Sequence, residues 1–96
     1  MTIANLLLVD DETAFLDAMA RRLKKREFEV LTAVSGMDAL DVLSQKGEKI
    51  EVVILDVKMP GMDGIETLAE IKRKYPLVEV VMLTGHATVS SAIDGM

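Results

Sequence analysis

A short run of apolar residues, Val52-Val53-Ile54-Leu55, places the strongest constraint on what this chain can fold into. A continuous, mostly β-branched run of this length is typical of a strand buried on both faces, as in a parallel sheet. Asp56 follows the run directly, and a Pro-Gly turn comes soon after it. Because ligands bind outside the carboxyl ends of strands in open α/β sheets, Asp56 stands where a functional group is expected. The plainer interpretation is an acid that caps the turn or the next helix.

Three further apolar runs alternate with segments of helical periodicity. They predict strands at Leu6–Val9, Phe28–Ala33 and Val78–Leu83, and a fourth helix from Ser90 to Met96. The resulting order is β-α-β-α-β-α-β-α, with short loops throughout. Strands that alternate with helices imply a doubly wound parallel sheet with right-handed crossovers. We therefore expect the α/β class.

The spacing of apolar residues predicts which face of each helix is buried. In the first helix, from Thr13, the predicted face consists of Phe15, Leu16, Met19, Ala20 and Leu23. In the second it consists of Ala39, Leu40, Val42 and Leu43, after a capping-box pattern at Ser35–Asp38 and before a stop at Gly47. In the third it consists of Ile65, Leu68, Ala69 and either Ile71 or Lys72, with Pro76 ending the helix. Partial alternation at Phe28, Val30 and Thr32 predicts that the second strand lies at an edge of the sheet.

Length and composition exclude several classes of protein. Ninety-six residues make at most one domain. Sixteen acids against eleven Lys and Arg give a net charge of −5, which argues against direct binding to a nucleic-acid backbone. Without cysteine, neither a disulfide nor a thiolate metal site is available. No apolar stretch approaches the ~20 residues that span a bilayer, so we expect a cytoplasmic domain that does not contact the membrane.

Polar side chains follow three of the predicted strands: Asp10 and Asp11 after the first, Asp56 after the third, and Thr84 after the fourth. If the first and third strands are neighbours, three carboxylates meet at one edge of the sheet, where a cation would relieve their repulsion. Carboxylate oxygens suit Mg²⁺ above all. An Asp beside Mg²⁺, with a hydroxyl opposite, is a phosphoryl acceptor site. No Gly-rich phosphate loop follows the first strand, which excludes dinucleotide and P-loop sites.

Three motifs together resemble the receiver domain of bacterial two-component response regulators. They are Val9-Asp10-Asp11-Glu12, Leu55-Asp56 with Met59-Pro60-Gly61-Met62-Asp63-Gly64, and Leu83-Thr84-Gly85-His86. The resemblance covers the whole chain and implies a flavodoxin-like fold with strand order 2-1-3-4. That order is the one found in the family's chemotaxis member, and the spacing of the residues does not specify it. The Thr-Gly-His-Ala stretch is also similar to receivers of the nitrogen-regulator type.

The resemblance also implies a role for each motif residue. Asp56 would be the phosphorylated aspartate, Asp11 a direct ligand of Mg²⁺, and Asp10 a ligand mostly through water. The backbone carbonyl of Lys58 would be a further metal ligand, and Thr84 would be the switch hydroxyl. The plainer alternatives are that Asp10 or Asp11 merely caps the first helix and that Thr84 is an ordinary residue at a strand end.

The sequence departs from the family pattern at its end. The family's fifth strand and fifth helix are absent, and with them a lysine that pairs with the phosphoryl group and an aromatic residue that reports the switch. We therefore expect residues 1–96 to be a receiver domain that is incomplete at the C-terminus, a fragment of a longer regulator. The fourth strand, Val80–Leu83, would then be an exposed edge through which the piece dimerises or exchanges segments.

The resemblance implies a signalling module and not a turnover enzyme. It would take a phosphoryl group from a sensor histidine kinase, catalyse only its own phosphorylation and dephosphorylation, and switch an effector domain missing from this chain. One alternative is a non-phosphorylated dimerisation or interaction module. Another is a phosphatase with an aspartyl nucleophile on the first strand, which would need an Asp at position 12, where the chain has Glu.

Overall fold

Residues 4–57 and 61–83 are described by the computed structural model, and they form the predicted alternation of strands and helices. The elements are β1 (Asn5–Val9), α1 (Thr13–Lys25), β2 (Glu29–Ala33), α2 (Gly36–Lys46), β3 (Val52–Asp56), α3 (Gly64–Lys74) and β4 (Glu79–Leu83). Gly47 directly follows the last residue of α2, and Pro76 follows the end of α3, as the sequence predicts. The helix predicted from Ser90 to Met96 lies outside the described residues.

The four strands form one parallel sheet in the order β2-β1-β3-β4, which confirms the predicted order 2-1-3-4 and the α/β class. In the register of the sheet, Val9 lies between Ala33 of β2 and Leu55 of β3. Asp56 lies opposite Leu83. The carboxyl ends of β1 and β3 are therefore adjacent, and β2 and β4 are the two edges of the described sheet.

One hydrophobic cluster lies between the sheet and helices α2 and α3. Alternate residues of β1 and β3 point into it, which is why Leu7, Val9, Val53 and Leu55 are almost fully buried. The cluster consists of Leu7, Val9, Ala33, Ala39, Leu43, Ile50, Val53, Leu55, Ile71 and Val78.

A second cluster lies under α1, on the opposite face of the sheet. Its buried members are Leu6, Leu8, Leu16, Met19, Ala20, Leu23 and Val30. On this face Val52 and Ile54 of β3 are only half-buried. The sequence predicts that β3 is buried on both faces, but only the face that carries Val53 and Leu55 is fully buried. The difference arises because α1 packs mainly on β1 and β2, away from β3.

Helix α3 departs from its predicted buried face. Ile65 is 64% exposed and Ala69 is also exposed, whereas Thr67 is fully buried beside Ile71. The buried face therefore begins at Gly64 and continues through Thr67 to Ile71, at the spacing of three and four residues that defines one helical face.

Within the described ranges, none of the helices is long and apolar enough to cross a membrane.

Candidate metal site

Three carboxylates meet at the carboxyl edge of the sheet. Asp10 and Asp11 follow β1 directly, and Asp56 is the last residue of the neighbouring β3. Each offers a carboxylate oxygen, and these oxygens all lie within 4.8 Å of one another. The structure thus brings together the three acids that the sequence predicts at this edge.

Asp10 is held in place by both its backbone and its side chain. Its N–H donates to the carbonyl of Ala33 at 3.1 Å, which extends the pairing of β1 with β2 by one residue. Its Oδ1 accepts a hydrogen bond from the Glu12 N–H at 2.9 Å, just before α1 begins. With only 2% of its surface exposed, Asp10 is the buried member of the group. Because this bond is made by the residue before the helix and not by an N–H of α1 itself, Asp10 fixes the turn into α1 and does not cap the helix.

Asp56 is half-buried and Asp11 is exposed, so the group opens to solvent on the Asp11 side. The backbone around Asp56 is fixed by its neighbour Val57, whose N–H donates to the Leu83 carbonyl at 3.1 Å. The Val57 carbonyl in turn accepts a hydrogen bond from the Gly64 N–H at 3.1 Å. Strand β4 and the first residue of α3 therefore both hold the end of β3.

The donor set fits a hard divalent cation. Three carboxylates this close repel one another, and a cation between them removes the repulsion. Oxygen ligands on opposite sides of Mg²⁺ lie about 4.2 Å apart, since each bond is about 2.1 Å long. For Ca²⁺ the corresponding separation is about 5 Å. Oxygens within 4.8 Å of one another therefore suit either ion, with solvent completing the coordination on the open side.

Two of the predicted site residues, Lys58 and Thr84, lie outside the described residues, as do Gly85 and His86. Their roles remain predictions. The sequence predicts no role for Gly64, which appears only as the last residue of a motif, or for Thr67; both pack at the start of α3 behind the site. The spacing of two small residues at the first turn of a helix, directly after the Asp63 cap, is the signal that would have found them.

A protein-family model described as the response regulator receiver domain matches residues 6–96. The transcriptional regulatory protein GlrR of Escherichia coli is 40% identical over 90 residues, which are 94% of this chain and 20% of that protein. A putative NtrX-like response regulator of Rickettsia bellii is 35% identical over 98 residues, covering 100% of this chain and 20% of that protein. The chain thus spans about a fifth of the length of these curated relatives.

Solved structures show the same fold. A response regulator receiver domain protein from Clostridium thermocellum superposes with a TM-score of 0.82 at 38% identity, over 98% of this chain and 75% of that one. A CheX-CheY-BeF3-Mg complex from Borrelia burgdorferi gives a TM-score of 0.80 at 27% identity, over 97% of this chain and 72% of that one.

Proposed function

This chain belongs to the response regulator receiver family, the phospho-acceptor signalling domains of two-component systems, and from that premise we propose that Asp56 is the residue it phosphorylates. The observation that carries the proposal is the group of three carboxylates at the ends of β1 and β3. Within the group, Asp10 is buried with one oxygen bound to the Glu12 N–H, whereas Asp56 is half-buried at the end of its strand. Asp56 is therefore the better placed of the two to attack a phosphorus atom.

The cation we assign to the site is Mg²⁺, bound directly by Asp11 and Asp56 and mostly through water by Asp10. The backbone carbonyl of Lys58 is proposed as a further ligand. When bound, the ion neutralises the carboxylates and the incoming phosphoryl oxygens. Two observations support this assignment: the oxygen-only donor set, and the BeF3 and Mg named in the solved complex from Borrelia burgdorferi.

The chemical step is a transfer between two residues. A carboxylate oxygen of Asp56 forms a bond to phosphorus while the bond from phosphorus to a histidine nitrogen of the donor breaks. The products are an aspartyl phosphate and a histidine side chain that takes up a proton from solvent. We assign Thr84 as the hydroxyl that then approaches the phosphoryl group. The domain catalyses only its own phosphorylation and dephosphorylation.

The partners follow from the same chemistry. A sensor histidine kinase supplies the phosphoryl group, and a separate effector domain reads the phosphorylated state. The matched relatives support this pairing, because they include both a transcriptional regulatory protein and a sensor kinase, CckA of Brucella abortus. The match to CckA is 36% identical over 84 residues, which are 88% of this chain and 9% of that protein. The net charge of −5 leaves contact with nucleic acid to the effector domain.

The test is labelling by acetyl phosphate in the presence of MgCl₂, with the phosphoryl adduct detected by mass spectrometry of the intact protein. We expect one phosphoryl adduct on the wild-type chain, lost when Mg²⁺ is chelated and lost in Asp56→Asn. Asp41→Asn is the matched control, because it removes the same charge from an exposed acid of α2. Labelling that survives in Asp56→Asn would contradict the assignment of Asp56.

A further inference from the structure

Gly64, the first residue of α3, packs against the backbone of the proposed phosphorylation site. A β-carbon built on Gly64 would lie 2.5 Å from the carbonyl oxygen of Asp56 and 2.7 Å from the α-carbon of Val57. Both neighbours are backbone atoms, which have no rotamer through which to move aside. The conflict is one of space and not of backbone conformation, because Gly64 does not have a positive φ.

The first turn of α3 is held from its other side as well. Thr67 is fully buried, and its hydroxyl donates to the Asp63 carbonyl at 2.7 Å. Gly36, at the start of α2, packs so closely on this turn that an added β-carbon would overlap the Thr67 hydroxyl. Asp63 caps α3, its Oδ1 accepting from the Glu66 N–H at 2.8 Å. The turn therefore lies between the end of β3 and the start of α2, with close contacts to both.

We propose that Gly64 is a positioning residue, whose lack of a side chain sets how close α3 approaches Asp56 and thereby places the Asp56 carboxylate against Asp10 and Asp11. The proposal rests on the proposed function of Asp56. It assigns Gly64 no contact with metal or phosphate. Its effect passes through the Asp56 carbonyl and the Gly64–Val57 hydrogen bond.

The geometry gives the size of the expected effect. Real β-carbons do not approach other atoms closer than 3.0 Å, so a methyl group at 2.5 Å must displace its neighbour by at least about 0.5 Å. A misplacement of about 1 Å near reacting groups costs about a hundredfold in rate, so half that distance is expected to cost about tenfold.

The experiment compares Gly64→Ala with Gly47→Ala. Gly47 is the matched control, because a β-carbon there would also lie 2.5 Å from a backbone carbonyl oxygen, that of Leu43. It follows α2 on the way to the start of β3, whereas the three acids stand at the ends of β1 and β3. For each variant we would measure the urea midpoint without metal, the Kd for MgCl₂ alone by calorimetry, and the rate of labelling by acetyl phosphate at saturating Mg²⁺.

We expect both variants to lower the urea midpoint, and only Gly64→Ala to raise the Mg²⁺ Kd and slow labelling, each by about tenfold. Equal Mg²⁺ Kd values and labelling rates for the two variants would overturn the positioning role. That result differs from failure of the proposed function, which would show as unlabelled wild-type protein or as labelling retained in Asp56→Asn.

If Gly64→Ala does not fold, Gly36→Ala replaces it. Its β-carbon would overlap the Thr67 hydroxyl and lie 3.2 Å from the Met62 carbonyl oxygen, so it displaces the same turn from the side of α2 without touching the backbone of Asp56 or Val57. We expect about a threefold rise in the Mg²⁺ Kd for Gly36→Ala relative to Gly47→Ala. The absence of any such rise in this folded variant would overturn the proposal.

Discussion

Asp10 belongs to the group of three acids at the ends of β1 and β3, and it also fixes the turn that leads into α1. Its Oδ1 accepts the Glu12 N–H just before α1, and one of its carboxylate oxygens lies within 4.8 Å of an oxygen of Asp11 and of Asp56. Loss of the Asp10 carboxylate charge and loss of this hydrogen bond should therefore change the free energy of unfolding by different amounts.

We predict that Asp10→Ala is less stable than Asp10→Asn by about 1 kcal/mol in the absence of metal, the typical net contribution of one hydrogen bond. Both substitutions remove the charge and its repulsion from Asp11 and Asp56, but only Asn keeps an oxygen that accepts the Glu12 N–H. Urea unfolding in EDTA would measure the difference. Equal free energies of unfolding for the two variants would show that this hydrogen bond contributes nothing.

Asp11 differs from Asp10 because it is exposed at the open side of the site. We predict that Asp11→Asn weakens Mg²⁺ binding by at least ~10–100-fold, a loss that substitutions of even indirect metal contacts commonly produce. Asp17→Asn, which changes an exposed acid within α1, is the matched control. Calorimetric titration with MgCl₂ provides the measurement, and an unchanged Kd in Asp11→Asn would remove it from the set of direct ligands.

The sequence locates the three acids because each stands at the end of an apolar run, and parallel strands end at one edge. It does not locate Thr67, which is polar and breaks the apolar stripe of α3. Thr67 can be buried because its hydroxyl donates to the Asp63 carbonyl four residues earlier. A prediction of the buried face that uses apolar residues alone therefore leaves Thr67 out. Ile65, apolar but 64% exposed, is the reverse case.

At the scale of elements, α2 has a cap that the sequence predicts only in part. The Ser35 hydroxyl accepts from the Asp38 N–H at 3.0 Å, as a capping box requires. The reciprocal bond differs, because the Asp38 carboxylate accepts from the N–H of Val34, one residue before the cap.

We predict that Ser35→Ala lowers the free energy of unfolding by about 1 kcal/mol, through loss of the cap on α2. Ser44→Ala is the matched control: its hydroxyl donates to the Asp41 carbonyl within the same helix, where Ala has the higher helix propensity. Urea unfolding of both variants would test this. A loss at Ser44 equal to that at Ser35 would indicate a general effect of Ser in α2 and not a cap.

The sequence predicts the four strands because four apolar runs stand between turn residues. It predicts less well which residues of each strand are buried. The edge position of β2, predicted from partial alternation, is confirmed in the described sheet, but Thr32 is exposed and Ala33 is buried. Ala33 lies beside Val9 on the face covered by α2, whereas Thr32 lies on the face where α1 packs. A local alternation pattern carries no information about how far along an edge strand the neighbouring helix extends.

For the whole molecule, the residues predict a parallel α/β sheet but not which strands are neighbours. Strand order is set by how the crossover connections pass over the two faces, and no local pattern records that. The order 2-1-3-4 follows from the family resemblance and is confirmed by the structure. It matters for function, because only the adjacency of β1 and β3 turns three separate acids into one site.

That adjacency also predicts how the whole molecule responds to metal. Without a cation, folding brings three carboxylates together at a cost, and an ion that binds only the folded state offsets this cost through its binding free energy. We predict that Mg²⁺ at a hundred times its Kd raises the free energy of unfolding by ~2.7 kcal/mol, with about 1.4 kcal/mol for each further tenfold increase. KCl at equal ionic strength separates binding from screening, and the double variant Asp11→Asn/Asp56→Asn should show no specific effect of Mg²⁺. Equal stabilisation by the two salts in the wild-type chain would mean that the three acids are only screened, and that the ends of β1 and β3 form an acidic surface without a metal site.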